Sequence, residues 1–217
     1  GQRREDALDA QAERADDRFD ERQEAADRRF DKRSKNLDKK WDKIEDNFEK
    51  RWDKRIAKEE AAYNKRIDNI KKAIEAEEKA EETRQKIFEA EKTRLERMAS
   101  IANMNIDFNV AMNSGNLDEA AKIANNIQST TDSWTLDDAA AASQTQSDAR
   151  KDKMEKQITS IEAERDKRIE SLKKIEEAEK KALEAKKERE QEALQAERDR
   201  YNKALEAERE RYRKGIE

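Results

Sequence analysis

The chain has 217 residues, of which 48% are charged, 33% apolar on a count that includes alanine, and 5% aromatic. Fifty Lys and Arg are interspersed with 54 Asp and Glu for a net charge of -4, so no broad field of one sign exists to steer nucleic acid or acidic lipid. A sizeable globular core is excluded over most of the length, and with no proline and three glycines the composition is that of long helices.

Helical periodicity starts almost at once. Leu8, Phe19, Phe30, Trp41, Trp52, Tyr63 and Ile74 step by eleven residues. Eleven residues fill three helical turns at about 3.67 per turn, so the series holds one narrow apolar stripe in one direction. Seven residues further on in each unit come Ala15, Ala26, Leu37, Phe48, Glu59 and Ile70, on the same helix face. Each aromatic opens a repeated phrase, as in Phe19-Asp20-Glu21-Arg22 and Trp52-Asp53-Lys54-Arg55. Acid and base four residues apart, such as Glu24 with Arg28, Asp31 with Lys35, Asp46 with Lys50 and Glu82 with Lys86, add about 0.2 to 0.5 kcal/mol each to such a helix. Residues 1–97 therefore read as a charged coiled-coil rod.

Residues 98–149 differ, with eight charges in 52 positions. They read as a short helix-turn-helix module. Ile101 to Met112 forms one apolar helix, Asn113, Ser114, Gly115 and Asn116 form the turn, and Asn116 caps the next helix with Glu119 as its reciprocal partner. Ser129 to Ser133 is a second expected stop. Either the two helices fold back and pack on each other through Ile101, Met104, Phe108, Leu117, Ala120, Ile123 and Ile127, or the turn merely kinks the chain.

Residues 150–217 form the second charged rod. Ile161, Leu172, Leu183, Leu194, Leu205 and Ile216 again step by eleven, with Tyr201 and Tyr212 repeating at the same interval. The fold class expected is all-α: an elongated coiled-coil rod of eleven-residue (hendecad) repeats, with the two apolar registers as self-association stripes. The opening Gly1, without methionine, points to a piece of a larger protein.

Histidine and cysteine are absent, which removes the commonest general base, metal ligand and thiol nucleophile. Solvated helix carboxylates keep near-ordinary acidity, and there is no glycine-rich phosphate loop or calcium-loop spacing. We expect no enzyme activity, catalytic residue, metal or cofactor. The basic group from Arg28 to Lys43 around Trp41 contains Asp31, Asp38 and Asp42, and reads as a solvated face beside a packed ring rather than a stable nucleic-acid site. No apolar run reaches membrane-spanning length, so no membrane partner is expected for this segment.

The stretch Ala111-Met112-Asn113-Ser114-Gly115-Asn116-Leu117-Asp118-Glu119-Ala120-Ala121-Lys122-Ile123, continuing to Trp134, resembles a phrase in tail tape-measure proteins of long-tailed (siphovirus-type) bacteriophages. It is also similar to half of a tetratricopeptide repeat, present here once. The tape-measure resemblance implies a central helical fragment that fills the tail tube lumen as parallel copies, a trimer among the options, and sets tail length during assembly. It implies as partners a tail tube protein and a tail assembly chaperone, assembly in the bacterial cytoplasm, residence in the virion and release on DNA ejection. The rival expectation from the residues is a generic coiled-coil scaffold or tether, folded as an antiparallel helical hairpin with a partner-binding tip. A ruler needs each stripe to face its own copy. A hairpin needs the Leu8 register to face the Ile161 register.

Overall fold

Two long helices account for the structure, a computed structural model that describes residues 1–113 and 116–216, side chains at 111, 116 and 216 excepted. Helix α1 spans Gln2–Asn113 and α2 spans Asn116–Ile216, and among the described residues there is no strand. The all-α expectation is met. Glu5 lies in the first turn of α1 and Asp118 and Glu119 in that of α2, while Arg213 and Lys214 occupy the last turn of α2, each complementing the helix dipole.

The expected stop at Ser129 to Ser133 is not made, because α2 runs through it. No glycine or proline lies there. The hydroxyls of Thr130, Thr131 and Thr135 donate to the carbonyls of Asn126, Ile127 and Thr131, four residues back, which satisfies them inside the helix instead of in a turn. Of the turn assigned to Asn113, Ser114, Gly115 and Asn116, Asn113 ends α1 and Asn116 begins α2. Ser114, Gly115 and the side chain of Asn116, with its capping role, lie outside the described residues.

Packing divides the chain into two units. The first comprises Gly1–Lys58 and Ile169–Glu217, the second Glu59–Arg168. In the first, α1 and α2 segments lie antiparallel, as successive pairs show: Arg22 with Glu208, Arg33 with Glu197, Lys40 with Glu190 and Lys187 with Glu45. Its apolar seam buries Ala15, Phe19, Ala26, Phe30, Trp41, Phe48, Trp52, Leu172 and Leu205. Phe48, Trp52 and Leu172 form its densest cluster, with Ile56 and Leu183 against it.

The second unit is also antiparallel, with Arg66 near Glu164, Lys92 near Asp137 and Asn103 bonded to Asn126. Ile67 and Ile161 are its buried apolar residues. Much of the remaining seam is polar.

Candidate interaction surface

In the first unit the contacts between helices recur at the interval of the sequence repeat. Phe19 meets Tyr212 edge-on at 6.2 Å between ring centroids, and eleven residues along α1 Phe30 meets Tyr201 at the same distance. The indole N–H of Trp41 donates to Glu190 at 2.8 Å and that of Trp52 to Glu179 at 3.0 Å. Arg209 bridges Asp16 and Asp20, and Arg198 bridges Asp27 and Asp31. Every step of eleven on α1 is answered by a step of eleven in the opposite direction on α2.

The repeated phrase after each aromatic now has a physical use. Its basic residue, three positions on, lies over the ring: Arg22 over Phe19, Arg33 over Phe30, Arg55 over Trp52 and, in the second unit, Arg66 over Tyr63. Each cation lies over the ring, where the negative π face attracts it. Trp41, with Ile44 three positions on, takes its cation instead from the preceding residue, Lys40.

The two stripes are largely, not wholly, inside the seam. Phe19, Phe30, Trp41, Trp52, Ile161, Leu172 and Leu205 are buried, whereas Tyr63, Ile74, Leu183 and Leu194 are half-buried. Leu8 is exposed, and the side chain of Ile216 lies outside the described residues. Trp52, Leu172 and Leu183 bring the two registers together in one cluster. Of the pairs expected four apart, Asp46 with Lys50 and Glu82 with Lys86 are formed, while Asp31 reaches across to Arg198. The acids Glu179, Glu190, Glu197 and Glu208, which receive the cross-helix bonds, were not singled out from sequence. Their signal was the same spacing read on polar positions, Glu179 with Glu190 and Glu197 with Glu208 each being eleven residues apart.

The second unit contains a polar knot. Glu81 is 3% exposed and accepts from Arg84, Gln85 and Ser143, while Glu77 accepts from Arg84 and from Arg150 across the seam. Gln85 also donates to the carbonyl of Ala140. Small residues on α2, Ala140, Ser143 and the fully buried Ser147, leave room for these long side chains. The Arg150 guanidinium holds the Glu77 carboxyl below its ordinary range, and bonds from Gln85, then Arg84 and Ser143, do the same for Glu81.

A carboxyl depressed in the folded state stabilises the fold fully above its ordinary range and loses that contribution as acid protonates it. The thermal midpoint should therefore be flat from neutral pH down to about 5 and fall steeply through the carboxylate range near 4 and below. Glu81→Gln should flatten that fall when melting is followed by circular dichroism. An unchanged acid limb would remove the knot from the account.

Between residues 98 and 134 the amphipathic pattern faces the wrong way. The side of α1 turned to α2 carries Ala99, Ala102, Asn103, Ile106 and Val110, and that of α2 carries Asp118, Lys122, Asn125, Ser129 and Asp132, all half-buried. Asn103 donates to Asn126 at 2.7 Å, and Lys122 pairs with Asp107. The large apolar side chains point outward. Met98, Ile101, Met104, Phe108 and Met112 on α1 and Leu117, Ile123, Ile127 and Trp134 on α2 are each more than half exposed.

The fold-back packing that the sequence allowed, through Ile101, Met104, Phe108, Leu117, Ala120, Ile123 and Ile127, is thus not made: all seven are exposed. Helical continuity supplies the reason. The half-buried row Leu136, Ala140, Ser143 and buried Ser147 continues in phase, at steps of three and four, into Asp132, Ser129, Asn125, Lys122 and Asp118, which leaves the isoleucines on the far side. These residues leave large apolar side chains in solvent on an otherwise charged protein.

Among the described residues no group of acidic side chains is placed to hold a metal ion, and no helix is long and apolar enough to cross a membrane. No protein family, characterised protein or solved structure matches the chain.

Proposed function

We propose that the chain is a mechanical spacer: an antiparallel coiled-coil hairpin of eleven-residue units, a scaffold or tether that presents a partner-binding surface on its sparsely charged segment. The observation that carries this reading is the matched recurrence of cross-helix contacts, Phe19 with Tyr212 then Phe30 with Tyr201, and Trp41 with Glu190 then Trp52 with Glu179. Most of each stripe finds its cover within the chain. We read the role as non-enzymatic, with Glu179 and Glu190 serving to hold the indoles of the facing helix.

The test uses the bond from Gln23 to Asn202, 2.9 Å long. In a chain without cysteine, a Gln23→Cys, Asn202→Cys double variant treated with a short thiol cross-linker should give an internally closed monomer at high dilution. Products joining different chains, with no internal closure, would overturn the hairpin.

The tail tape-measure role is a second proposal. It draws support from the phrase around Leu117 and Asp118 and from the outward apolar strips at 98–134, which neighbouring parallel copies in a tube lumen would cover. Parallel cross-links between identical positions of two chains, with no internal closure at 23 and 202, would favour it over the hairpin.

A further inference from the structure

We infer that the α1 strip of Met98, Ile101, Met104, Phe108 and Met112 is the interface for a second copy of this chain, packed antiparallel about a two-fold axis beside Met104. The inference rests on the hairpin reading, in which α2 covers the opposite side of α1, and it names the partner of the open side.

Three features select a second copy. The first is geometry: the five residues follow one another at three- and four-residue steps and so share one face of α1, opposite the half-buried row Ala99, Ala102, Ile106 and Val110. The second is self-complementarity. Turned end for end about a point between Met104 and Asn105, the strip places Met98 opposite Met112 and Ile101 opposite Phe108, so that ends meet ends and the bulkiest pair flanks the centre. An isologous contact requires this kind of symmetry. The third is charge. From Met98 to Met112 the helix carries one ionised group, Asp107, and Lys122 of the same chain holds it. In a two-fold contact each side chain meets the image of another residue of the same strip, so a strip with no unpaired charge brings none against its partner.

Area agrees with this choice. The five side chains are 54% to 71% exposed. At roughly 100 Å² apiece, two strips would bury about 1,000 Å², the lower end of specific interfaces, as suits a reversible dimer. Methionine at three of five positions lets the strip fit its image without exact steric matching.

Sedimentation of the full chain over a wide concentration range should show a reversible monomer–dimer equilibrium. Phe108→Lys should weaken the dimer by at least about thirtyfold with helix content unchanged, whereas Ile127→Lys on α2 should leave it intact. Absence of native cysteine permits a second, geometric readout. Met104→Cys should oxidise to a disulfide with its own copy, and Met98→Cys should do so only when mixed with Met112→Cys.

A monomer at every concentration, a dimer indifferent to Phe108→Lys, or self-linking of Met98→Cys would each overturn the proposal. A monomer that instead sediments with phosphatidylcholine vesicles would assign the strip to a lipid surface and overturn it equally. Internal closure at positions 23 and 202 is read on the monomer, so the hairpin stands or falls separately from the dimer.

Discussion

Trp41→Ala will lower stability by about 3 to 5 kcal/mol, the largest loss expected from any single truncation in the first unit. Trp41 is 1% exposed, lies under Lys40 and donates its indole N–H to Glu190. Truncation removes the apolar surface, opens a void that the facing helix backbone cannot fill by local collapse, and strips Glu190 of a donor. Because that bond holds the Glu190 carboxyl below its ordinary range, the variant should also lose part of its acid sensitivity. Trp41→Phe keeps most of the packed area and drops only the N–H, so it should cost distinctly less. Urea unfolding of the three proteins provides the comparison. Equal midpoints for wild type and Trp41→Ala would mean that the seam does not hold the helices together.

Deleting five residues, 31–35, from α1 should be more damaging than deleting eleven from each helix. Five residues turn the preceding part of α1 by about 140° relative to the rest, at 100° per residue. Phe19 and Phe30 then face solvent, and about 1.5 to 3 kcal/mol is lost for each. Removing 20–30 together with 201–211 instead deletes one whole unit on both sides, bringing Phe19 into the place of Phe30 and Tyr212 into that of Tyr201. Melting should remain cooperative with a slightly lower midpoint. Hydrogen exchange would locate the damage: residues 1–19 and their α2 partners lose protection in the five-residue deletion and keep it in the matched one. Equal damage from both would show that phase does not matter.

The helical class was legible because nothing in the chain opposes it, and the stripe was legible because Phe19, Phe30, Trp41 and Trp52 are large and evenly spaced. What covers the stripe was not. An apolar period names a buried face, but both a second chain and the other half of the same chain satisfy it, and only the match of Phe19 to Tyr212 and Trp52 to Leu172 chooses between them. The middle segment misled for a related reason. Ile101, Met104 and Phe108 form a good face, yet Ile106 and Val110 form a weaker one on the other side of α1. The choice fell to the phase inherited along α2 from Ser147 and Leu136, a property of neighbours rather than of the segment itself. Ser129 to Ser133 looked like a break because hydroxyls compete for backbone partners, and here they found those partners one turn back.

A ladder with evenly spaced rungs invites closure one rung out of step. In the first unit the rungs are of two kinds: Phe19 and Phe30 lie against tyrosines, while Trp41 and Trp52 lie against carboxylates. Slippage of one rung in one direction would set Phe30, which has no donor, against Glu190. In the other direction it would set Trp41 against Tyr201 and deprive its N–H of an anion. The change from ring-on-ring to ring-on-acid partway along thus works as an index mark, giving a repetitive molecule a single correct alignment.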